Sequence, residues 1–310
     1  MKSSIGEAPF QILLYYLYRT VERPETYATE HRVLCRELDL RGRVLIAGEG
    51  LNGTVSGTRE ATNRYMRLLK SDERTHGIEF KIDPAEAHAF PRLSVKVREE
   101  VVTLSLGQED FSPTDTTGKY LSPVEWRRMM DRDDVVVIDA RNCYETEMGH
   151  FEGAVLPGVD NFRELPQWVR SHRSTLEGKK ILTYCTGGIR CEKFSGYLLR
   201  EGFENVFQLE GGIVGYGKDP EVQGEKFAGK CYVFDERIGV EVNHTANAQV
   251  VSCCVHCGCP CDRYLNCEWS RCNAQFFCCE ACHSEGLRYC SEVCSEAVLV
   301  SLAACGNESD

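Results

Sequence analysis

At 310 residues the chain is long for one domain, and two or three are expected. Hydrophobic residues make up 42% and charged residues 27%, which excludes a disordered or membrane-embedded chain and fits a globular one. The net charge of −11 argues against non-specific nucleic-acid binding, but it divides into +1 over residues 1–100, −7 over 101–252 and −5 over 253–310, so only the first region suits a polyanion.

The first residues carry no signal-peptide pattern, and the apolar run at 12–18 is too short to span a bilayer. A cytoplasmic location without membrane attachment is expected, where disulfides are disfavoured. Residues 10–18 read as a strand, 25–38 as a helix and 43–47 as a second strand. Gly48-Glu49-Gly50-Leu51-Asn52-Gly53 then reads as a glycine-rich turn, and 54–57 as the returning strand of a hairpin. A second helix at 59–69 and a strand at 78–82 complete a β-α-β-β-α-β order, the ferredoxin-like arrangement, over residues 1–106. From Arg92 to Arg98 the chain alternates strictly. Leu93, Val95 and Val97 face one way, and Arg92, Ser94, Lys96 and Arg98 the other. The polar face is either simply solvated or a contact for RNA phosphates.

Residues 107–120 have the Pro, Asp, Thr and Gly content of a linker. An α/β unit follows over 121–218. Ser122 caps a helix that opens Pro123-Val124-Glu125, in a capping-box pattern. The continuous apolar runs at 135–139 and 181–185, with another strand at 206–209, are those of a parallel sheet covered on both faces. Its ligand site belongs at the carboxyl ends of the strands.

Tyr184-Cys185-Thr186-Gly187-Gly188-Ile189-Arg190-Cys191 lies at such an end, just before a helix. A cysteine followed by a glycine turn, an arginine and a helix N-terminus sits in an anion cradle. That setting favours the thiolate, the nucleophilic form. Cys185 is therefore the candidate nucleophile and Arg190 the group that holds the loop and stabilises an anionic sulfur. Cys191 has two readings, a thiol that resolves an oxidised Cys185 or the first buried residue of the helix. Cys143 reads as an ordinary loop thiol and His150 as a turn residue.

After a connecting segment at 219–252, composition changes abruptly. Five of the 18 cysteines precede residue 253 and thirteen follow. Four closely spaced pairs, Cys254/Cys257, Cys267/Cys272, Cys279/Cys282 and Cys290/Cys294, can make two tetrahedral thiolate sites. The segment 253–310 is too short and polar to fold on a core of its own, so metal would supply folding energy. Two structural zinc ions are the first expectation, an iron–sulfur cluster the alternative. Spacing leaves open which pairs share an ion, and Cys253, Cys259, Cys261 and Cys278 are surplus.

Four motifs occur in a family order: Asp139-Ala140-Arg141-Asn142, Gly149-His150-Phe151-Glu152-Gly153-Ala154, Cys185 with four residues before Arg190, and Leu209-Glu210-Gly211-Gly212. Together they resemble the rhodanese domain, whose loop cysteine accepts sulfane sulfur as a persulfide. A related phosphatase family has one more residue between cysteine and arginine, so four favours sulfur or another small electrophile over phosphate. Taken with the stretch 48–54, the strand 92–98, the loop through Lys193 and the cysteine-rich tail, nearly the whole chain resembles the tRNA uridine(34) hydroxylase family.

That resemblance implies a multidomain fold of α+β and α/β units: a ferredoxin-like (acylphosphatase-like) N-domain, a central rhodanese domain and a cysteine cluster. It implies an enzyme that converts the wobble uridine to 5-hydroxyuridine, with tRNA as partner and molecular oxygen as co-substrate. A persulfide on Cys185 and a sulfur or electron donor protein belong to the same picture. It raises Gly50, Asn52 and Gly53, with Arg92, Lys96 and Arg98, to substrate-binding candidates, and makes Asp139 and Arg141 architectural. A sulfurtransferase that passes persulfide sulfur from Cys185, or a zinc-stabilised adaptor that senses oxidants, are the alternatives.

Overall fold

The structure, a computed structural model, describes residues 8–272 and 274–306, the last seven as helical backbone. The outermost residues of the expected 1–106 and 253–310 units lie outside the described residues.

The N-terminal unit runs β1 (Phe10–Tyr18), α1 (Pro24–Glu37), β2 (Arg41–Ala47), β3 (Gly50–Thr58), α2 (Arg59–Ser71), β4 (Glu79–Ala85) and β5 (Leu93–Val97). Its sheet has the order β4-β1-β3-β2-β5 and is antiparallel except for the β2–β5 pair. Alternation along the strands sets its two faces. Leu13, Tyr15, Val44, Ile46, Leu51, Val55 and Val95 form a core with the helices. Leu14, Tyr16 and Tyr18 point to the other face, which meets the second unit.

The glycine-rich turn is shorter than expected. Only Gly48 and Glu49 separate β2 from β3, and Gly50, Asn52 and Gly53 are paired on both sides within the central strand. Gly50 is required by close approach: at φ +150° a Cβ there would stand 2.1 Å from the Leu17 carbonyl oxygen. Ladder pairing occupies the backbone of this stretch, so it is not a free nest of N–H groups.

The second unit comprises β6 (Lys119–Leu121), α3 (Pro123–Met129), β7 (Val135–Asp139), α4 (Cys143–Thr146), β8 (Gly149–Phe151), α5 (Leu165–Ser171), α6 (Arg173–Leu176), β9 (Lys180–Tyr184), α7 (Ile189–Arg200), β10 (Val206–Leu209) and α8 (Gly212–Lys218). The order β6-β10-β9-β7 is parallel throughout, with apolar clusters on both faces. Ser122 and Glu125 form the expected capping box on α3. The sheet starts inside the expected linker, because Lys119 and Tyr120 already pair with β10. Residues 107–118 are also held down: Gly118 N–H donates to Ser195 Oγ at 2.7 Å, and the Phe111 ring abuts Gly196.

The segment expected to be a mere connection carries β11 (Phe227–Tyr232) and β12 (Gly239–Glu241). β11 pairs with β8, and Val222, Phe227, Cys231 and Val242 complete the core around Phe151 and Tyr184. The remaining residues form β13 (Tyr264–Asn266), β14 (Gln275–Phe277), α9 (Glu280–Ser284) and α10 (Glu292–Gly306). This module docks through Tyr264 and Phe277 onto Met148 and Tyr232, beside a Lys230–Asp262 ion pair of 2.8 Å. Among the described residues no helix is long and apolar enough to cross a membrane.

Candidate active site

β9 delivers Cys185 to the carboxyl edge of the parallel sheet, and α7 starts four residues later. The Gly188 N–H donates to Cys185 Sγ at 3.2 Å. Gly188 holds φ +106°, a left-handed value that turns this peptide toward the sulfur. Burial alone would raise the Cys185 pKa. The Cys191 thiol, the Arg190 charge and the backbone N–H groups of Cys191 and Gly188 outweigh it and bring the value down to about 5. Cys191 is itself fully buried, and burial together with the neighbouring Cys185 sulfur pushes its thiol well up. It is the donor to the thiolate, and it is also the buried residue at the helix start.

Arg190 is held by side chains. It forms a two-pronged pair with Glu145 at 2.6 and 2.7 Å, and its second prong reaches Thr186 Oγ1 at 3.3 Å. Glu145 is wholly buried; burial would raise its carboxyl, but Arg190 holds it below the usual carboxylate range. Beneath lies a second buried pair, Arg141 with Asp139, whose guanidinium also donates to the Gly149 carbonyl at 2.6 Å. These two residues brace the loop and do not face the cavity. Cys143 donates to Asp160 at 3.1 Å, and burial and that carboxylate raise its thiol to about 11. His150 Nδ1 lies 2.9 Å from the Thr146 carbonyl. Neither is placed as the sequence suggested: Cys143 opens α4 rather than lying in a loop, and His150 is the central residue of β8, paired with Ala228, rather than a turn residue.

Cys185 floors a cavity of about 420 Å³ that lies between the two units. Asn52, Gly53 and Arg98 line it, together with Arg43 and the aromatic side chains of Phe90, Tyr144, Phe162 and Phe234. A second hollow of about 500 Å³ runs along the outer face of β5 and is lined by Arg43, Arg92, Ser94, Lys96 and Arg98. The two share Arg43, Leu45, Phe90 and Arg98, so a basic track leads from the sheet edge to the sulfur. Of the expected substrate-binding residues, Gly50 lines neither hollow.

Sequence reasoning missed four contributors. Glu145 had a local signal, the Asn142-x-x-Glu145 capping pattern, which went unread and which points to a helix start rather than to a partner for Arg190. Arg43 read only as the start of a strand. Tyr16 and Lys81 come from the far side of the fold: Tyr16 Oη donates to Glu192 at 2.9 Å, and Lys81 Nζ to the Gly187 carbonyl at 2.9 Å. Glu192 also receives Tyr120 at 2.7 Å and Thr117 at 3.1 Å. Next to it, buried Lys193 binds Glu49, Glu100 and Asp110 at 3.0, 2.6 and 3.2 Å.

The tail's eight paired cysteines form two groups, Cys254/Cys257/Cys279/Cys282 and Cys267/Cys272/Cys290/Cys294, with the sulfurs of each within 4.8 Å of one another. The first pair thus shares a site with the third and the second with the fourth. Sulfur separations of 3.7 Å for Cys257–Cys279, 3.6 Å for Cys272–Cys290 and 3.5 Å for Cys290–Cys294 suit a metal. A tetrahedron with metal–sulfur bonds of ~2.3 Å has edges of about 3.8 Å. Both groups could hold an ion. His256 leaves Nε2 unpaired against Phe276 and belongs to neither group.

Family models match in three blocks: a UPF0176 acylphosphatase-like domain over residues 10–101, a rhodanese-like domain over 122–219 and a rhodanese C-terminal region over 228–295. Among solved structures, a rhodanese-like domain from Anabaena is 22% identical, covering 36% of this chain and 80% of its own at a TM-score of 0.29. The proteins named tRNA uridine(34) hydroxylase in Bacillus cereus strain G9842, Bacillus thuringiensis strain Al Hakam and Bacillus mycoides strain KBAB4 are each 54% identical over 286 residues. That alignment takes in 92% of this chain and 89% of each relative, and the chain belongs to the tRNA uridine(34) hydroxylase family.

Proposed function

We propose that this chain hydroxylates carbon 5 of uridine 34 in tRNA, with Cys185 as nucleophile in the cavity between its first two units. One observation carries the reading: a buried cysteine thiolate floors an aromatic-walled cavity that opens onto a basic track. About 420 Å³ falls in the ~300–1,000 Å³ range of small-ligand pockets. A base splayed out of the anticodon loop would enter it, as single-stranded RNA bases do when they are read. Arg92 and Lys96 would hold the flanking phosphates, with Arg43 and Arg98 at the cavity mouth. Asn52 and Gly53 would form part of the wall, and Gly50 would keep β1 and β3 close behind it.

The Cys185 thiolate adds to carbon 6, forming a C–S bond and pushing an electron pair onto carbon 5. Oxygen takes up that pair at carbon 5 and is protonated to a hydroperoxide. A donor of two electrons, a protein or small thiol, reduces the O–O bond to leave the hydroxyl group and water. Loss of the carbon 5 proton then expels the thiolate and restores the ring. A persulfide on Cys185 would serve as the same nucleophile. Arg190 and Cys191 act by keeping the sulfur anionic. The two thiolate groups of the tail would hold zinc in a structural role, which suits the reduced cytoplasm where tRNA is modified.

The alternative, sulfur transfer from a Cys185 persulfide, needs only the central unit. Here β1, β2 and β3 of the first unit carry cavity walls, which favours a large substrate. The test uses a strain that lacks the gene and any second route to the modification. Its tRNA, digested and measured by mass spectrometry, should regain 5-hydroxyuridine-derived nucleosides with the native gene and not with Cys185→Ser. Unchanged nucleosides in both, alongside thiosulfate turnover by the purified protein, would hand the assignment to the sulfurtransferase.

A further inference from the structure

The Gly187-Gly188 pair has a second role besides flexibility. Leu14 and Lys81 are partners across the β1–β4 ladder, and Tyr16 follows Leu14 on the same face. These three side chains seat the loop. A Cβ on Gly187 would stand 3.0 Å from Leu14 Cδ2, and one on Gly188 would stand 2.9 Å from Tyr16 Oη. A side chain at either position would crowd the end of Leu14 or Tyr16 and force it to shift.

Lys81 does more than fill space. Its ammonium donates to the Gly187 carbonyl at 2.9 Å. That carbonyl belongs to the same peptide unit as the Gly188 N–H, which donates to Cys185 Sγ at 3.2 Å. Lys81, one peptide group and the sulfur therefore form a continuous chain of hydrogen bonds. Such chains strengthen each member, because an ammonium that pulls electron density toward the carbonyl makes the N–H a better donor. We propose that Lys81 is a positioning residue for Cys185: from the neighbouring unit it polarises the 187–188 peptide and so holds the sulfur as a thiolate.

Other charged and titratable groups also face this locus. Arg190, Cys191 and Glu192 come from α7, Tyr16 and Tyr18 from β1, and Glu79 lies beside Lys81 on β4, with Lys218 of α8 nearby. Burial lowers the Lys81 pKa, while the Cys185 thiolate and Glu79 work to keep it charged. Tyr16 offers its ring face to the ammonium at 5.4 Å. Lys81 is thus a cation that directs its hydrogen bond to the loop peptide.

The inference rests on Cys185 being the reactive thiolate, and one experiment separates the two claims. The full chain is alkylated with iodoacetamide across pH, and modification of the Cys185 peptide is followed by mass spectrometry. Native protein should titrate well below an ordinary thiol; a midpoint near the ordinary value removes the thiolate itself. Lys81→Met should raise the midpoint by about one pH unit, a tenfold change in the ionisation constant, and Lys81→Arg should restore most of it. Leu14→Ala loosens the same seat without touching the hydrogen-bond chain and should leave the midpoint in place. Thermal melts confirm that each variant is folded. A Lys81→Met midpoint equal to native, or a Leu14→Ala shift as large as that of Lys81→Met, overturns the proposal.

Discussion

At the scale of single residues, Cys185 is governed by competition between burial and donors. Complete burial disfavours a charged sulfur, yet Cys191, Arg190 and two backbone N–H groups reverse the balance. This has a consequence for stability. The thiol ionises at about 5 in the folded chain and near its ordinary value of 9.0 when unfolded. Between those values the unfolded chain binds one more proton, so acid favours unfolding. The contribution is complete above the unfolded value and disappears as pH falls through about 5. Denaturant titrations of native protein and Cys185→Ser should therefore converge or cross as pH is lowered from 9 to 5, with the native chain losing its relative advantage; parallel pH profiles would contradict the assigned thiolate. The sulfur's cradle was legible in the sequence because it is local: strand, glycine turn, arginine and helix follow within eight residues. The partner of Arg190 was not, because Glu145 lies 45 positions away and meets it only once β7 and β9 are paired.

At the scale of elements, the loop between β9 and α7 is shaped by the sheet that packs on it. Gly188 combines a left-handed backbone with a side-chain-free contact to Tyr16. Gly188→Ala should lose about 1–3 kcal/mol from backbone strain, before any loss from undocking. Gly187→Ala meets only a methyl of Leu14, with no positive φ, and should be milder. Chemical denaturation ranks the two; equal losses would mean that the backbone twist at 188 is not what the glycine serves. Element types and order were readable from periodicity, including the alternating β5 and the capped α3. The stretch 48–53 was misread because glycine signals a turn when taken alone. Its glycines instead admit neighbouring strands, and Leu51 and Val55 continue a period of two that a strand explains. Likewise β11 looked like connection because its pairing partner, β8, lies some 80 residues earlier.

At the scale of the molecule, three units have different sources of stability, and the first two close around the Cys185 cavity. The first two bury apolar cores of ordinary kind, whereas the third buries chiefly cysteine sulfur. A core of that kind holds only if metal ties the thiolates together. Spacing identified the ligands but not their partners, since each short pair supplies half a tetrahedron and either neighbouring or alternate pairs could complete it. The structure interleaves them: one ion would join the segments before and after the hairpin of β13 and β14, and the other would join the connection between these strands to the chain that follows them. Interleaving makes a specific prediction for metal content. The native chain should bind two ions per molecule if each group fills. Cys254→Ser with Cys279→Ser should remove one of them, because both residues serve the same group. Cys254→Ser with Cys267→Ser should remove both, because they serve different groups. Elemental analysis of the purified variants reads the difference directly: neighbouring pairs sharing an ion would invert the two results. Chelation should unfold the tail while the Cys185 cavity, lined by the first two units and by Phe234 just after β11, keeps its shape.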